Sequence, residues 1–173
     1  MLLINKYLSE FHFNEIHKIK VNAKIGDCYQ TSMILDLNKS GIISFLFRLR
    51  GLPFKRTRLN EITEDMRFTL LEENKPIEFL YAFWFKRRTE WITENEIFLK
   101  NSNALYNAKV GWSFVFIQTP NGATEIITKT RIFCLNKKIK LIFKIYWFFI
   151  KPFSGWIRLE MLRLIKNEVE SKC

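Results

Sequence analysis

The chain has 173 residues, of which 48% are hydrophobic and 16% aromatic, and its formal net charge is +11. This composition predicts a single folded domain over residues 1–173 with ample material for a core. Three cysteines with no CxxC spacing argue against a disulfide framework or a zinc site, so reduced thiols, a cytoplasmic location and no cofactor are expected.

The first half of the chain predicts one strand followed by two short helices. Within residues 10–22, Ile16 and Lys18 alternate with His17 and Ile19, as in a half-buried strand. Asn22 is then expected to cap a helix over residues 24–35. A second helix over residues 40–50 has a wide apolar face.

The second half predicts a run of antiparallel strands. Strand-like residues occupy 68–73, 77–86, 93–100, 106–118 and 124–135. Residues 120–122, Pro-Asn-Gly, predict the hairpin turn between the last two, because Asn-Gly accepts the positive φ that such turns require. Strands that follow a group of helices and precede another indicate the α+β class.

The last element, residues 136–172, is predicted to be one long helix. Its most apolar run, residues 139–150, contains Lys140 and Lys144 and is shorter than the roughly 20 residues that span a bilayer. Pro152 removes a helical hydrogen bond, so a kink is expected just before it. Residues 1–11 contain Lys6 and Glu10 and lack the apolar core of a signal peptide.

The positive charge is concentrated in this helix, since residues 136–173 hold nine Lys or Arg against three Glu. Such a charge fits an anionic membrane surface, although a general compositional excess of lysine explains it as well. No nucleic-acid-binding motif accompanies the charge, so nucleic acid is not predicted as a partner. The apolar back of the helix leaves three alternatives open: contact with a membrane, a homodimer interface in place of a monomer, or cover by residues 38–58.

Several short segments carry a resemblance to a known family. They are residues 13–17 (FNEIH), 21–23 (VNA), 83–84 (FW), 112–114 (WSF), 128–131 (TKTR), 146–147 (YW), 152–158 (PFSGWIR) and 161–163 (MLR). With the order of elements, these segments resemble the START-like superfamily, also called SRPBCC or polyketide cyclase/dehydrase and lipid transport, and above all its uncharacterised bacterial members. The resemblance implies the helix-grip fold, a curved antiparallel sheet wrapped around a long C-terminal helix. It also implies a cavity for a hydrophobic ligand between the two.

The candidate ligand-binding residues are aromatic and aliphatic side chains with a few polar groups, which is how small-molecule sites are built. They are His17, Trp84, Trp112, Phe114, Thr128, Thr130, Phe143, Trp147, Ile150, Ser154, Ile157 and Arg158. Plain core packing is the alternative for the aromatic members of this set. Thr128 and Thr130 stand out because hydroxyls inside a core need hydrogen-bond partners.

These residues predict binding of a hydrophobic small molecule or lipid, with Thr128, Thr130, Ser154 and His17 orienting it. The alternative is an enzyme of the cyclase or hydrolase kind, in which His17 and Arg158 act on a bound hydrophobic carbonyl compound. A further alternative is a peripheral membrane protein with no soluble ligand. No HExxH, GxSxG or glycine-rich phosphate loop occurs, so no catalytic residue is assigned.

Overall fold

A computed structural model describes residues 1–49, 57–85, 89–90 and 108–172, the pair 89–90 by its backbone alone. Its helices are α1 (Leu3–Tyr7), α2 (Ile25–Met33), α3 (Gly41–Leu49), α4 (Leu59–Asp65) and α5 (Lys137–Glu170), with a 3-10 turn at Leu37–Lys39. Its strands are β1 (Phe13–Val21), β2 (Thr69–Asn74), β3 (Glu78–Phe85), β4 (Thr89–Glu90), β5 (Ala108–Gln118) and β6 (Thr124–Cys134).

The strands form one antiparallel sheet in the order β1-β6-β5-β3-β2, with β4 paired to β3. Helix α5 packs on one side of this sheet, chiefly against β1. This is the predicted α+β class with a helix-grip-like arrangement, and α2 and α3 are the two short helices predicted after the first strand. The strand predicted at residues 93–100 lies outside the described residues.

Strand β6 leads directly into α5, and the sequence of each element explains its position. Successive residues of β6 alternate between buried and half-buried, so that Thr128 and Thr130 face α5. The side chain of Asn136 caps α5 by accepting the backbone N–H of Ile139 at 2.8 Å. The helix then continues without a break through Pro152, and the kink expected just before this residue stays a prediction.

Helix α1 covers the far side of the sheet, the side away from α5, and it was not predicted. Its backbone N–H at Leu3 donates to the buried carboxylate of Glu78 at 2.9 Å. Ile4 packs over Gly111, where a Cβ atom would lie 3.8 Å from the Ile4 side chain. The helix has five residues and no side-chain cap, so its packing on the sheet, not its sequence, holds it in place.

The start of α2 differs from the prediction. Lys24, not Asn22, is the N-cap residue, and its side chain makes no capping hydrogen bond. The first free N–H of the helix, at Ile25, instead donates to the side chain of Gln118 at 3.0 Å. A residue from the β5 end therefore supplies the cap, and this requires the folded sheet.

Candidate functional site

Six side chains form a polar layer where the sheet crosses the middle of α5. They are Glu15 and His17 on β1, Thr128 and Thr130 on β6, and Ser154 and Arg158 on α5. Strand register brings the first four together, because Glu15 is paired with Thr130 and His17 with Thr128. All six lie on the side of the sheet that faces α5.

Arg158 links the helix to the sheet within this layer. Its Nε and Nη2 donate to Oγ1 of Thr130 at 3.0 and 2.7 Å, and its Nη1 donates to the carbonyl and hydroxyl oxygens of Ser154. The guanidinium also lies 5.7 Å from the ring centre of Trp112, a cation–π distance. The indole N–H of Trp112 donates to Thr128 at 2.8 Å, so both predicted threonine hydroxyls have protein partners.

Glu15 and His17 form a hydrogen-bonded pair on the β1 side of the polar layer. Nε2 of His17 lies 2.8 Å from Oε1 of Glu15, which is a hydrogen-bond distance. Glu15 is 6% exposed. Its second oxygen, Oε2, has no hydrogen-bond partner among the described residues. Buried carboxylates are rarely left in this condition.

Gly155 brings α5 against this pair. A Cβ atom at this position would lie 2.9 Å from Oε1 of Glu15 and 3.3 Å from Cε1 of His17. Any larger residue would have to displace the carboxylate or the imidazole. The absence of a side chain at Gly155 therefore sets the distance between helix and strand at the polar layer.

Two apolar clusters lie on opposite sides of the polar layer along α5. The larger, towards the C-terminus of α5, contains Phe79, Tyr81, Phe114, Ile157 and Leu162. The smaller, which we call the aromatic end, packs the half-buried Phe13, Phe83, Phe85 and Trp147 around Phe143 and Cys134. Burial raises the pKa of Tyr81 and raises the pKa of Cys134 to about 11, so both stay protonated at neutral pH.

The predicted site residues divide among these regions. The polar layer holds His17, Thr128, Thr130, Ser154 and Arg158, with Trp112 bonded to it. Phe143 and Trp147 belong to the aromatic end, Phe114 and Ile157 to the larger cluster, and Ile150 is half-buried on α5 between Trp147 and Ser154.

Trp84 was placed wrongly under the helix. It lies on the far side of the sheet, packed with Ala82, Tyr7 and Leu71. The side chain of Lys109 extends over its ring, and burial lowers the pKa of that lysine. The reason for the error is that β3 is buried on both sides, so its sequence gives no clear inside and outside.

Glu15 and Gly155 were not among the predicted site residues, although the sequence contains a feature that points to each of them. Glu15 is two residues before His17 and therefore shares its strand face. A glycine inside a long helix is unfavourable by about 1 kcal/mol relative to alanine, so it usually has a packing reason.

Two surface clefts lined by described residues have volumes of about 470 and 530 Å³. One lies beside residues 22–24 and the hairpin turn, and the other beside α2 and Pro76. Neither lies under α5, so the predicted cavity there stays a prediction. Within the described residues, no cluster of three or more His, Cys, Asp or Glu side chains could hold a metal ion.

Comparisons with known proteins leave the family open. No family model matches the chain, and no curated protein matches it. Solved structures with a similar backbone path include an uncharacterised Rhizobium leguminosarum protein (11% identity, TM-score 0.43). The superposition covers 90% of this chain and 96% of that one. A hypothetical Helicobacter pylori protein (9%, TM-score 0.44) covers 95% and 93%, and a Streptomyces aromatase/cyclase (6%, TM-score 0.36) covers 91% and 93%. At these values nothing about function follows from them, and the START-like family remains a resemblance.

Proposed function

We propose that the protein binds a hydrophobic small molecule or lipid between the sheet and α5, with the polar end of the molecule at the polar layer. The aromatic end supplies apolar walls, and its members Phe13, Phe83, Phe85 and Trp147 are only half-buried. The polar layer lies next to it along α5. Apolar walls with a few convergent polar groups are typical of small-molecule sites.

The observation that carries this proposal is Oε2 of Glu15, which has no hydrogen-bond partner in the part of the chain that the structure describes. A buried polar atom without a hydrogen bond costs about 1–3 kcal/mol, and more when it is charged. A hydroxyl or N–H group on a bound molecule would remove this cost. The preferred ligand is therefore a hydrophobic molecule with a hydrogen-bond donor at one end, such as a long-chain or polycyclic alcohol.

The proposal is tested by replacing Glu15 with its neutral isostere. In Glu15→Gln the amide oxygen can still accept from His17, but the NH₂ group then faces the donor of the ligand. Native mass spectrometry with lipid extraction identifies what co-purifies with the wild-type protein. The melting temperature with added fatty alcohols and sterols then measures binding. We expect Glu15→Gln to weaken binding at least tenfold, about 1.4 kcal/mol.

Glu78→Gln is the matched control. Glu78 is also a buried glutamate, but it lies on the far side of the sheet and bonds to Leu3. Ligand binding should be unchanged in this variant, even if its stability falls. A wild-type protein that retains no ligand, and whose melting temperature no lipid, fatty acid or alcohol raises, would contradict the proposal.

A second candidate function is supported by the Glu15–His17 pair. A carboxylate that fixes one imidazole nitrogen is the usual orienting partner of a histidine general base. The reaction would be hydrolysis or cyclisation of a hydrophobic carbonyl compound, with Arg158 stabilising the developing negative charge on oxygen. Turnover of aryl esters of increasing chain length tests it. His17→Gln should reduce turnover by about 100-fold or more, and a wild-type rate equal to that of buffer would eliminate this candidate.

A further inference from the structure

Helix α5 exposes a second apolar surface between residues 141 and 159, on the side opposite the sheet. We call this surface the exposed face of α5, and it consists of Leu141, Ile145, Phe148, Phe149, Trp156 and Leu159. Phe148 is 76% exposed. Helices that are apolar on all sides are normally buried in protein or in lipid. Six large apolar side chains on one helix face therefore indicate that something binds there.

The described segments that pack on α5 bind elsewhere along it. Segment 38–58 was one predicted cover for this face. Its described part packs on α5 through the buried residues of α3, which belong to the larger cluster. Ser40 also donates to Glu160 at 3.0 Å, and Lys39 forms an ion pair with Glu168. These two polar contacts lie beyond Leu159, towards the C-terminus. The exposed face is thus left open by the described part of that segment.

The charge beside the exposed face has a single sign. Lys140, Lys144 and Lys151 are exposed and follow helical spacing, so they form one stripe along the flank of the face. Lys137 and Lys138 extend the positive charge at the start of the helix. The sequence contains no Asp or Glu between Glu125 and Glu160, so no acidic residue of the helix offsets these lysines there.

We propose that the exposed face of α5 binds the surface of an anionic lipid bilayer. The helix would lie in the plane of the membrane, with Phe148, Phe149 and Trp156 among the lipid chains and the lysine stripe at the phosphate groups. Aromatic side chains combined with lysines are typical of interfacial helices. Among the described residues, no helix combines the length and apolar character needed to cross a bilayer.

Charge complementarity selects a membrane over a second copy of the chain. A two-fold contact through this face places the lysine stripes of both copies at one interface. The face offers no carboxylate to pair with them, and like charges in contact are destabilising. Anionic headgroups provide the missing negative charge, and each lysine near such a surface adds about fivefold in affinity.

Flotation with vesicles tests the proposal. We expect the wild-type protein to float with phosphatidylglycerol-containing vesicles at low salt, and to bind pure phosphatidylcholine vesicles far more weakly. Replacing the stripe by Lys140→Gln, Lys144→Gln and Lys151→Gln should lower the partition coefficient by about 100-fold. Replacing Lys20, Lys24 and Lys172 by Gln removes the same charge elsewhere, and this control should stay within about threefold of the wild type.

The contact between the apolar side chains and the lipid is measured separately from the attraction by charge. Phe148→Ser with Phe149→Ser should abolish the binding that survives high salt, while the melting temperature is unchanged because both rings are exposed. Wild-type binding should also shift the emission of Trp156 to shorter wavelength, and Trp156→Phe identifies that part of the signal. These two results separate insertion into lipid from attraction by charge alone.

Three results would overturn the proposal. The first is a wild-type protein that does not bind anionic vesicles at low salt. The second is an equal loss of binding in the control lysine variant, which would mean attraction by net charge alone. The third is a dimer in sedimentation velocity that forms without vesicles and that Phe148→Ser with Phe149→Ser dissociates, because the face would then bind a second copy.

Discussion

The two halves of α5 have opposite relations to the rest of the molecule. After Ser154 the helix buries Ile157, Met161, Leu162, Ile165 and Val169 in the larger apolar cluster. Before Ser154, Phe143 is its one buried residue, while Phe148 and Phe149 are exposed. One continuous helix therefore combines an anchoring half with a half that leaves most of its apolar side chains exposed.

The polar layer marks the boundary between these halves. Gly155 brings the helix against β1, and Arg158 fastens it to Thr130. Because the anchoring half and the polar layer hold the helix, the N-terminal half need not contribute much to stability. Its apolar residues are then available for a ligand on one side and for lipid on the other.

The largest effect should come from removing packing in the anchoring half. Ile165 is fully buried, and its truncation in Ile165→Ala leaves a cavity in the larger cluster. We expect the free energy of unfolding to fall by about 2–5 kcal/mol. Urea denaturation followed by circular dichroism measures it. A loss below about 1 kcal/mol would mean that this half does not anchor the helix.

Gly155→Ala should have the next largest effect, at the boundary itself. The added methyl group meets Glu15 and His17, and the overpacking exceeds the gain in helix propensity, so stability should fall by about 1–2 kcal/mol. Gly26→Ala is the matched control, because Gly26 also lies in a helix and a Cβ atom there would meet nothing within 4 Å. That variant should be stabilised by about 0.5–1 kcal/mol. Equal effects of the two substitutions would show that the close approach at Gly155 carries no strain.

The two halves also differ in how far the sequence predicts them. In β6 every second residue is buried, so alternation places Thr128 and Thr130 correctly. The C-terminal half of α5 is buried along one stripe at helical spacing, and that stripe is equally visible in the sequence. Where one side of an element is buried and the other is exposed to solvent, the spacing of apolar residues in the sequence is enough to predict which side is buried.

The sequence pattern fails to predict the structure where both sides of an element are buried, or where a contact between distant parts of the chain determines whether the element forms. The sequence does not predict α1, which exists because Leu3 bonds to Glu78 across 75 positions of the chain. With α1 on the far side, β3 is buried on both sides, and Trp84 was assigned to the wrong one. Glu15 was overlooked since an acid in a strand is usually solvated, whereas here Gly155 of α5 packs closely against its carboxylate.

Thiol labelling compares local opening of the two clusters. Cys28 belongs to the larger cluster and Cys134 to the aromatic end, and both are buried. Burial raises the pKa of Cys134 to about 11, so its thiol reacts at neutral pH only when the structure opens. In single-thiol variants that also carry Cys173→Ser, we expect Cys134 to be labelled about tenfold faster than Cys28, because the smaller cluster opens without global unfolding. Mass spectrometry after timed alkylation gives both rates, and equal rates would mean that the two clusters open as one unit.

The smallest effect is expected for Ile145→Ala, the counterpart of Ile165→Ala in the other half of the same helix. Ile145 is 59% exposed, so its truncation removes little buried surface, and alanine is the better helix former. Stability in the absence of lipid should change by no more than about 0.5 kcal/mol in either direction. The same urea titration measures it, and vesicle binding should weaken in the same variant. A loss of more than about 1 kcal/mol without lipid would mean that another part of the protein covers Ile145. The exposed face of α5 would then be part of the core, and it would have no surface to offer a membrane.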